Sequence, residues 1–268
     1  MNIRFLPALP IAAALLISPA RADKLKFGNE GIYPPFSNVE SNGELSGFEP
    51  ELAREMCKRM HADCEFVVMD FKALIPSLLQ NKFDGVISQI NPLPERRDKA
   101  LFTIPLVVNP STFVAPKDSH YKFTREGMKG MKIGMPRGSA DAKWVLANFD
   151  GVEPVWYDNP DQIRLDLLAR RIDMAFGAQL NWTMELIQKP EGKDWKLDGG
   201  AHWVGDDSLP EDQRGLSWIV GKNEKPLAER MNVALKSMME DCTFTAIRKK
   251  FLPVPVLPAD EVCVAKGS

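Results

Sequence analysis

The 268-residue chain predicts an α/β fold in two units, on three observations. Strand-like and helix-like runs alternate as β-α-β-α-β from Leu25 to Ser88. The alternation breaks at an extended segment, Val107 to Phe113, interrupted by Pro110, and it restarts at Lys132. Alternation of this kind means a mainly parallel sheet with helices on both faces. The restart means two lobes with a cleft between them.

Leu25 to Gly28 opens as a strand, followed by a Pro-stiffened turn, Asn29 to Phe36, that carries an acid and two aromatics. Asn42-Gly43 is a hairpin signal between short strands. Pro50 to Met60 is a helix, with proline tolerated near its start and Leu52, Met56 and Met60 on one face. A strand, Glu65 to Met69, a short helix, Ala73 to Gln80, and a strand, Asp84 to Ser88, follow. In the second unit, Lys132 to Met135, Val152 to Tyr157 and Asp173 to Phe176 are strands. They alternate with helices over Ser139 to Asn148, Pro160 to Arg170 (Ile163, Leu167 and Leu168 inward) and Leu180 to Gln188. Leu216 to Val220 is a last strand, ahead of helices Pro226 to Met239 and Thr243 to Lys250.

Composition is that of a soluble globular protein, 44% hydrophobic and 26% charged. The net charge of −2 leaves no basic excess for nucleic acid. Residues 1–22 read as a secretory signal peptide: a basic start with Arg4, an apolar run from Phe5 to Ile17, and a small-residue site with cleavage after Ala22. The mature chain then carries 32 basic and 36 acidic residues, −4, and no later segment is apolar enough to span a membrane. Cys57, Cys64, Cys242 and Cys263 fit an oxidising compartment. Three pairings are possible, and two local bridges are the simplest. Scattered histidines and the lack of a CxxC pair make zinc improbable.

One stretch carries chemistry, Ile87-Ser88-Gln89-Ile90-Asn91-Pro92-Leu93-Pro94-Glu95-Arg96-Arg97. It puts Arg96 just past a strand's C-terminal end, where open α/β sheets bind ligands. A guanidinium there can hold a carboxylate in a planar, paired contact.

Tyr33-Pro34-Pro35-Phe36, Gly47-Phe48-Glu49-Pro50-Glu51-Leu52-Ala53, Asp70 to Leu78 and Glu95-Arg96 resemble, in this order, the motifs of one family. It is the extracytoplasmic solute-binding proteins of polar amino-acid ABC importers, especially the lysine/arginine/ornithine, histidine and opine binders. The resemblance runs from Leu25 to about Pro253 and extends to the short disulfide between Cys57 and Cys64.

The resemblance implies a two-lobed periplasmic-binding-protein fold of type II with a two-strand hinge. Residues 23–108 and 215–268 would form the first lobe, and 109–214 the second, inserted in it. It implies a monomer in the periplasm, no cofactor, a small-molecule ligand buried by closure, and a membrane permease as partner. Arg96 falls on the carboxylate-binding arginine, and Asn91 on a backbone and side-chain donor to the same group. Tyr33 and Phe71 match the aromatics that sandwich the ligand, and Glu30 the acid toward its distal cation. Ser88 and Gln89 are polar contacts at the strand end. Ser139 and Ala140 open a helix whose N–H groups meet an anion, with Ala140 in place of the family's Thr. Arg137 is a second anion contact or a rim residue, and Trp203 with Asp206-Asp207 is a candidate for the cleft mouth.

The departure is Ala178, which falls where the family places an Asp for the ligand's α-ammonium. Either Gln179, Asn181 or another group compensates, or the ligand lacks a free α-ammonium, as in an opine. Two other functions fit this reading. A lyase or dehydratase on the same fold would need a cleft acid with a raised pKa, and Glu30 is the acid the sequence places there. A ligand sensor would close in the same way but signal to another membrane partner. No Ser-His-Asp set, cysteine nucleophile or phosphate loop is present.

Overall fold

A computed structural model describes residues 23–267. The expected signal peptide and its cleavage point at Ala22 fall outside the described residues.

The first sheet draws on both ends of the chain. β1 (Asp23–Asn29) is followed by a small sheet of β2 (Ile32–Tyr33), β3 (Ser37–Val39) and β4 (Leu45–Ser46). Then come α1 (Phe48–Arg59), β5 (Ala62–Val68), α2 (Phe71–Leu79), β6 (Gly85–Ile90), α3 (Pro94–Arg97) and β7 (Ala100–Phe102). The second sheet is built from β8 (Ser111–Pro116), β9 (Lys132–Pro136), α4 (Ala140–Asn148), β10 (Glu153–Tyr157), α5 (Pro160–Leu168), β11 (Met174–Ala178), α6 (Gln179–Trp182) and β12 (Trp195–His202). The chain returns through β13 (Ser217–Gly221) and ends in α7 (Lys225–Glu240), α8 (Thr243–Phe251) and α9 (Pro258–Ala265).

Sheet one has the order β5-β1-β6-β13-β7, with β5, β1 and β6 parallel and β13 antiparallel to both neighbours. Sheet two has the order β10-β9-β11-β8-β12, with β10, β9 and β11 parallel and β8 antiparallel to both its neighbours, β11 and β12. The fold is therefore two-lobed, with the second lobe inserted between β7 and β13. The two crossings lie side by side: Leu216 N–H donates to Val107 O at 2.8 Å, and Leu106 N–H to Leu216 O at 2.9 Å.

Each sheet is covered on both faces, which is why its central strands are wholly buried. All six residues of β6 and all five of β11 are buried. Phe27, Leu52, Met56, Trp218, Met231 and Phe244 join α1, α7 and α8 to one face of the first sheet. Leu74, Leu78, Val86 and Ile219 join α2 to the other. In the second lobe Phe113, Met135, Val145 and Phe176 pack under α4. Ile163, Leu167, Ala175 and Trp182 pack on the opposite face.

Gly47 fixes the first turn of the site. Its φ is +115°, and a Cβ there would lie 2.5 Å from Phe36 O. The close approach lets Phe48 and Glu49 N–H donate to Pro35 O and Phe36 O, tying the Tyr33–Phe36 turn to the start of α1. Disulfides join Cys57 to Cys64 and Cys242 to Cys263, the local pairing.

Several elements depart from expectation. The strand expected from Glu65 begins at Ala62, so Cys64 lies inside it. The strand expected to stop at Ser88 runs to Ile90. The helix expected over Leu180–Gln188 is one α-turn followed by a π-turn, Thr183–Ile187. β12 and α9 were not anticipated. Gly199 and Gly200, both at positive φ, break the pattern of β12 at a register shift, and α9 is a short helix behind a run of prolines.

Candidate ligand-binding cleft

The carboxyl ends of β1, β6, β9, β10 and β11 converge on one cavity between the lobes. Open α/β sheets present ligands at that edge. The cavity is about 730 Å³, mouth included. From the first lobe it is lined by Glu30, Tyr33, Phe71, Lys72, Gln89 and Asn91. From the second it is lined by Ser111, Arg137, Ser139, Ala140, Asp141, Tyr157, Asp158 and Ala178, with Asn109 and Leu216 at the crossings.

The lobes are closed on each other. Lys72 Nζ meets Asp158 Oδ1 at 2.9 Å, and Arg137 Nε meets the same oxygen at 3.2 Å. Asn91 Nδ2 donates to Val204 O at 2.6 Å, and Asn181 Nδ2 to Pro34 O at 3.2 Å. Arg97 pairs with Asp206 at 2.5 Å, and Asp206 N–H donates to Pro92 O at 3.0 Å. Asp206 thus belongs to the contact between the lobes. Lys143 of α4 is bonded to Glu95 of α3.

Arg96 stands in the last turn of α3, beside Asn91 and Phe71, 7% exposed. Its Nη1 donates to Asn91 O at 3.3 Å and its Nη2 to Gly138 O of the other lobe at 3.0 Å. The guanidinium carbon lies 5.8 Å from the Phe71 ring centroid. Two carbonyls are its partners, and among the described residues no carboxylate comes within ion-pair distance of it. Burial lowers its pKa to about 10, against the pull of Glu95 and Asp141.

Unlike Asp158, the cleft acids Glu30 and Asp141 have no cation within ion-pair distance among the described residues. Burial pushes Glu30 up to about 8. Asp141 accepts a hydrogen bond from Ser111 Oγ at 2.5 Å. Burial still raises it to about 6, opposed by that bond and by Arg96. Behind the cavity, Glu49 is buried with Oε1 on Trp218 Nε1 at 3.3 Å and Oε2 unpartnered, and burial holds it well above the usual range. Tyr33 sits among the three acids; burial first, then Asp141, Glu30 and Glu49, raise its hydroxyl.

Gln89 is 7% exposed, and neither its Oε1 nor its Nε2 has a partner among the described residues. Ser139 caps α4, its Oγ accepting from Ala142 N–H at 3.1 Å. Ala140 and Asp141 form the first helical turn, whose N–H groups have no partner within the helix.

Of the sequence candidates, Glu30, Tyr33, Phe71, Gln89, Asn91, Ser139, Ala140 and Ala178 come together on the cavity wall. Arg96 lies behind that wall. Ser88 is turned to the backbone just past β1, its Oγ accepting from Glu30 N–H at 3.2 Å. Asn181 is engaged with Pro34 and Asn109, and Gln179 does not line the cavity. Two expectations change here. Glu30 is not the sole cleft acid, and a carboxylate does stand near Ala178. Ala178 pairs in register with Ser111, whose hydroxyl holds Asp141. Asp141 escapes a sequence reading because an acid in a helix's first turn is explained by the helix itself.

A second cavity, about 560 Å³, is lined by Pro34, Arg164, Phe176, Gly177, Asn181 and Trp182. It shares Tyr33, Pro136, Asp141 and Pro160 with the first. Among the described residues no three His, Cys, Asp or Glu form a metal-binding group.

The sequence matches the bacterial extracellular solute-binding proteins, family 3, over residues 11–254. It is 33% identical to ABC transporter arginine-binding protein 1 of Escherichia coli K12, over 91% of this chain and 98% of the relative. It is 32% identical to the histidine-binding periplasmic protein of Salmonella typhimurium, over 93% and 97%. The fold matches a Salmonella typhimurium periplasmic binding protein of high arginine specificity, with a TM-score of 0.74 and 26% identity over 86% of this chain and all of the other. It also matches an arginine transport-system periplasmic binding protein of Legionella pneumophila, with a TM-score of 0.75 and 25% identity over 86% and 100%.

Proposed function

The chain belongs to the bacterial extracellular solute-binding proteins of family 3, and we propose that it is the extracytoplasmic binding component of an ABC importer. Its ligand is a small carboxylate that also carries basic groups, an amino acid or an N-substituted relative such as an opine. The observation that carries this reading is Arg96, a nearly buried guanidinium beside the cleft with carbonyls but no carboxylate for partners. A buried cation of this kind is costly unless an anion meets it, and the carboxylate of a bound ligand meets it in paired geometry.

In this reading Asn91 and the first turn of α4, at Ser139 and Ala140, add donors to the same carboxylate. Tyr33 and Phe71 flank the aliphatic part, Gln89 supplies an uncommitted amide, and Glu30 faces the distal cation. The lobes, 23–108 with 215–268 and 109–214, turn about the crossings at Val107 and Leu216. Ligand shifts the population toward the closed form because it meets groups of both lobes only there. The closed form, a periplasmic monomer, then docks on a membrane permease. The relatives are named as binding proteins, which favours transport over the lyase alternative.

The test is a thermal-shift screen on mature protein unfolded and refolded to strip carried ligand. Cationic amino acids, their N-substituted forms and their amides form the panel. A ligand at a thousandfold its Kd stabilises by about 4 kcal/mol. Acids are expected to shift the melt and amides are not. Equal shifts with acids and amides remove the role given to Arg96.

A further inference from the structure

We propose that Asp141 is the residue that receives the basic amine next to the ligand's carboxylate, and so sets selectivity for amine-bearing acids. This rests on the reading of Arg96 as the carboxylate anchor.

Asp70 and Asp158 of the wall have Lys72 or Arg137 for partners. Glu30 and Asp141 have no cation among the described residues, and their surroundings separate their roles. Arg96 Nη2 donates to Gly138 O at 3.0 Å, just ahead of the helix turn that carries Asp141, and its charge acts on that carboxylate. Glu30 stands at the strand end of the other lobe, its N–H on Ser88 Oγ. An amine on the carbon next to a carboxylate must lie close to whatever holds that carboxylate. The acid on the helix turn that Arg96 reaches is therefore the one placed for that amine, and Glu30 is left for charge at the far end of the ligand.

The placement of Asp141 is built. It stands in the first turn of α4, and Ser111 Oγ holds Oδ1 at 2.5 Å. That single neutral donor fixes the carboxylate without neutralising it, and no Lys, Arg or His lies within 4.0 Å of it among the described residues. The position opposite is made small. Ala178 ends β11 directly across from Ser111 in the β8–β11 ladder, and its methyl group leaves the room a longer side chain would fill. On the facing lobe Gln89, whose buried amide has no partner among the described residues, belongs to the wall of the same cavity. A cation seated over the paired Ser111 and Ala178 meets the carboxylate of Asp141, which Ser111 holds. Gln179 and Asn181 are engaged elsewhere or off the wall.

The test compares amino acids with the same acids lacking the α-amine: lysine against 6-aminohexanoate, and arginine against 5-guanidinopentanoate. Titration calorimetry is run on refolded wild type, Asp141→Asn and the double variant Asp141→Ala/Ala178→Asp. Wild type should bind the amine-bearing form about 30-fold more tightly or better, the size of a lost buried charge contact. Asp141→Asn should lose that preference while keeping its affinity for the deaminated acid, and the double variant should recover part of it. If Asp141→Asn binds amino acids as wild type does, or loses both forms alike, the inference is overturned. Should the variants fail to fold, equal wild-type affinity for lysine and 6-aminohexanoate overturns it as well. Equal binding of an amino acid and its amide instead overturns the Arg96 reading, so the two failures are distinguishable.

Discussion

Lys72 of the first lobe and Asp158 of the second are joined across the mouth of the cleft, Nζ to Oδ1 at 2.9 Å. Both side chains are nearly half exposed, 40% and 47%, and Arg137 shares the same oxygen. An exposed pair of this kind contributes about 0.2–1 kcal/mol. Asp158→Ala should weaken ligand binding by no more than about fivefold. The loss should shrink in high salt, and Kd measured at two ionic strengths checks both.

Arg96→Met separates binding from stability. The guanidinium is buried without a carboxylate, so a methionine of similar volume should leave the unliganded melting temperature unchanged or raised. The ligand-induced shift should disappear, with an affinity loss of about 30-fold or more. Melting curves with and without ligand read both effects at once.

Burial raises Glu30 from 4.5 to about 8, with Tyr33 and Glu49 facing it and no cation. A carboxyl raised in the folded state binds its proton more tightly there than in the unfolded chain. Stability should therefore fall as pH rises from about 4.5 to 8, and Asp141 acts in the same direction between 3.8 and about 6. A bound cation reverses the preference and drives the proton off Glu30. Binding a cationic amino acid at neutral pH should release about one proton. Calorimetry in buffers of different ionisation heat measures the release, and Glu30→Gln should abolish it.

Asp141 belongs to the walls of two cavities, the second reaching Gly177 and Trp182. A secondary amine held at Asp141 can send one arm into each. N-methyl and N-carboxyalkyl derivatives of arginine should therefore bind within about tenfold of arginine, no more than the low end of the effect of one methylene. A competition titration decides it, and exclusion of both derivatives would count against continuity of the two cavities.

The disulfides differ in the loops they close, with separations of 7 and 21 residues. Chain entropy assigns them about 2.5 and 3.4 kcal/mol. Replacing Cys242 and Cys263 with serine should lower the melting temperature more than replacing Cys57 and Cys64.

Much of this was legible because the signals were local. The β-α-β alternation, the break at Pro110 and the arginine past β6 all follow from neighbours in sequence. What stayed hidden depends on topology. Asp141 reads as ordinary acid at a helix start, and its meaning appears only when β8 brings Ser111 beside it. Gln89 reads as a strand-end polar residue, and its lack of partners is visible only when both lobes surround it. β12 was missed because Gly199 and Gly200 interrupt its alternation at a bulge.

The antiparallel β13 has a consequence for the order in which the molecule is made. Trp218 N–H donates to Thr103 Oγ1 across 115 residues, and every one of them precedes it from the ribosome. In chain order the whole of the inserted lobe therefore precedes the strand that fills the first sheet between β6 and β7. Contacts of such long sequence separation form late. The cleft, whose walls come from both lobes, is the last part to exist. A chain stopped before Ser217 would leave the apolar edge of β6 uncovered and open to aggregation.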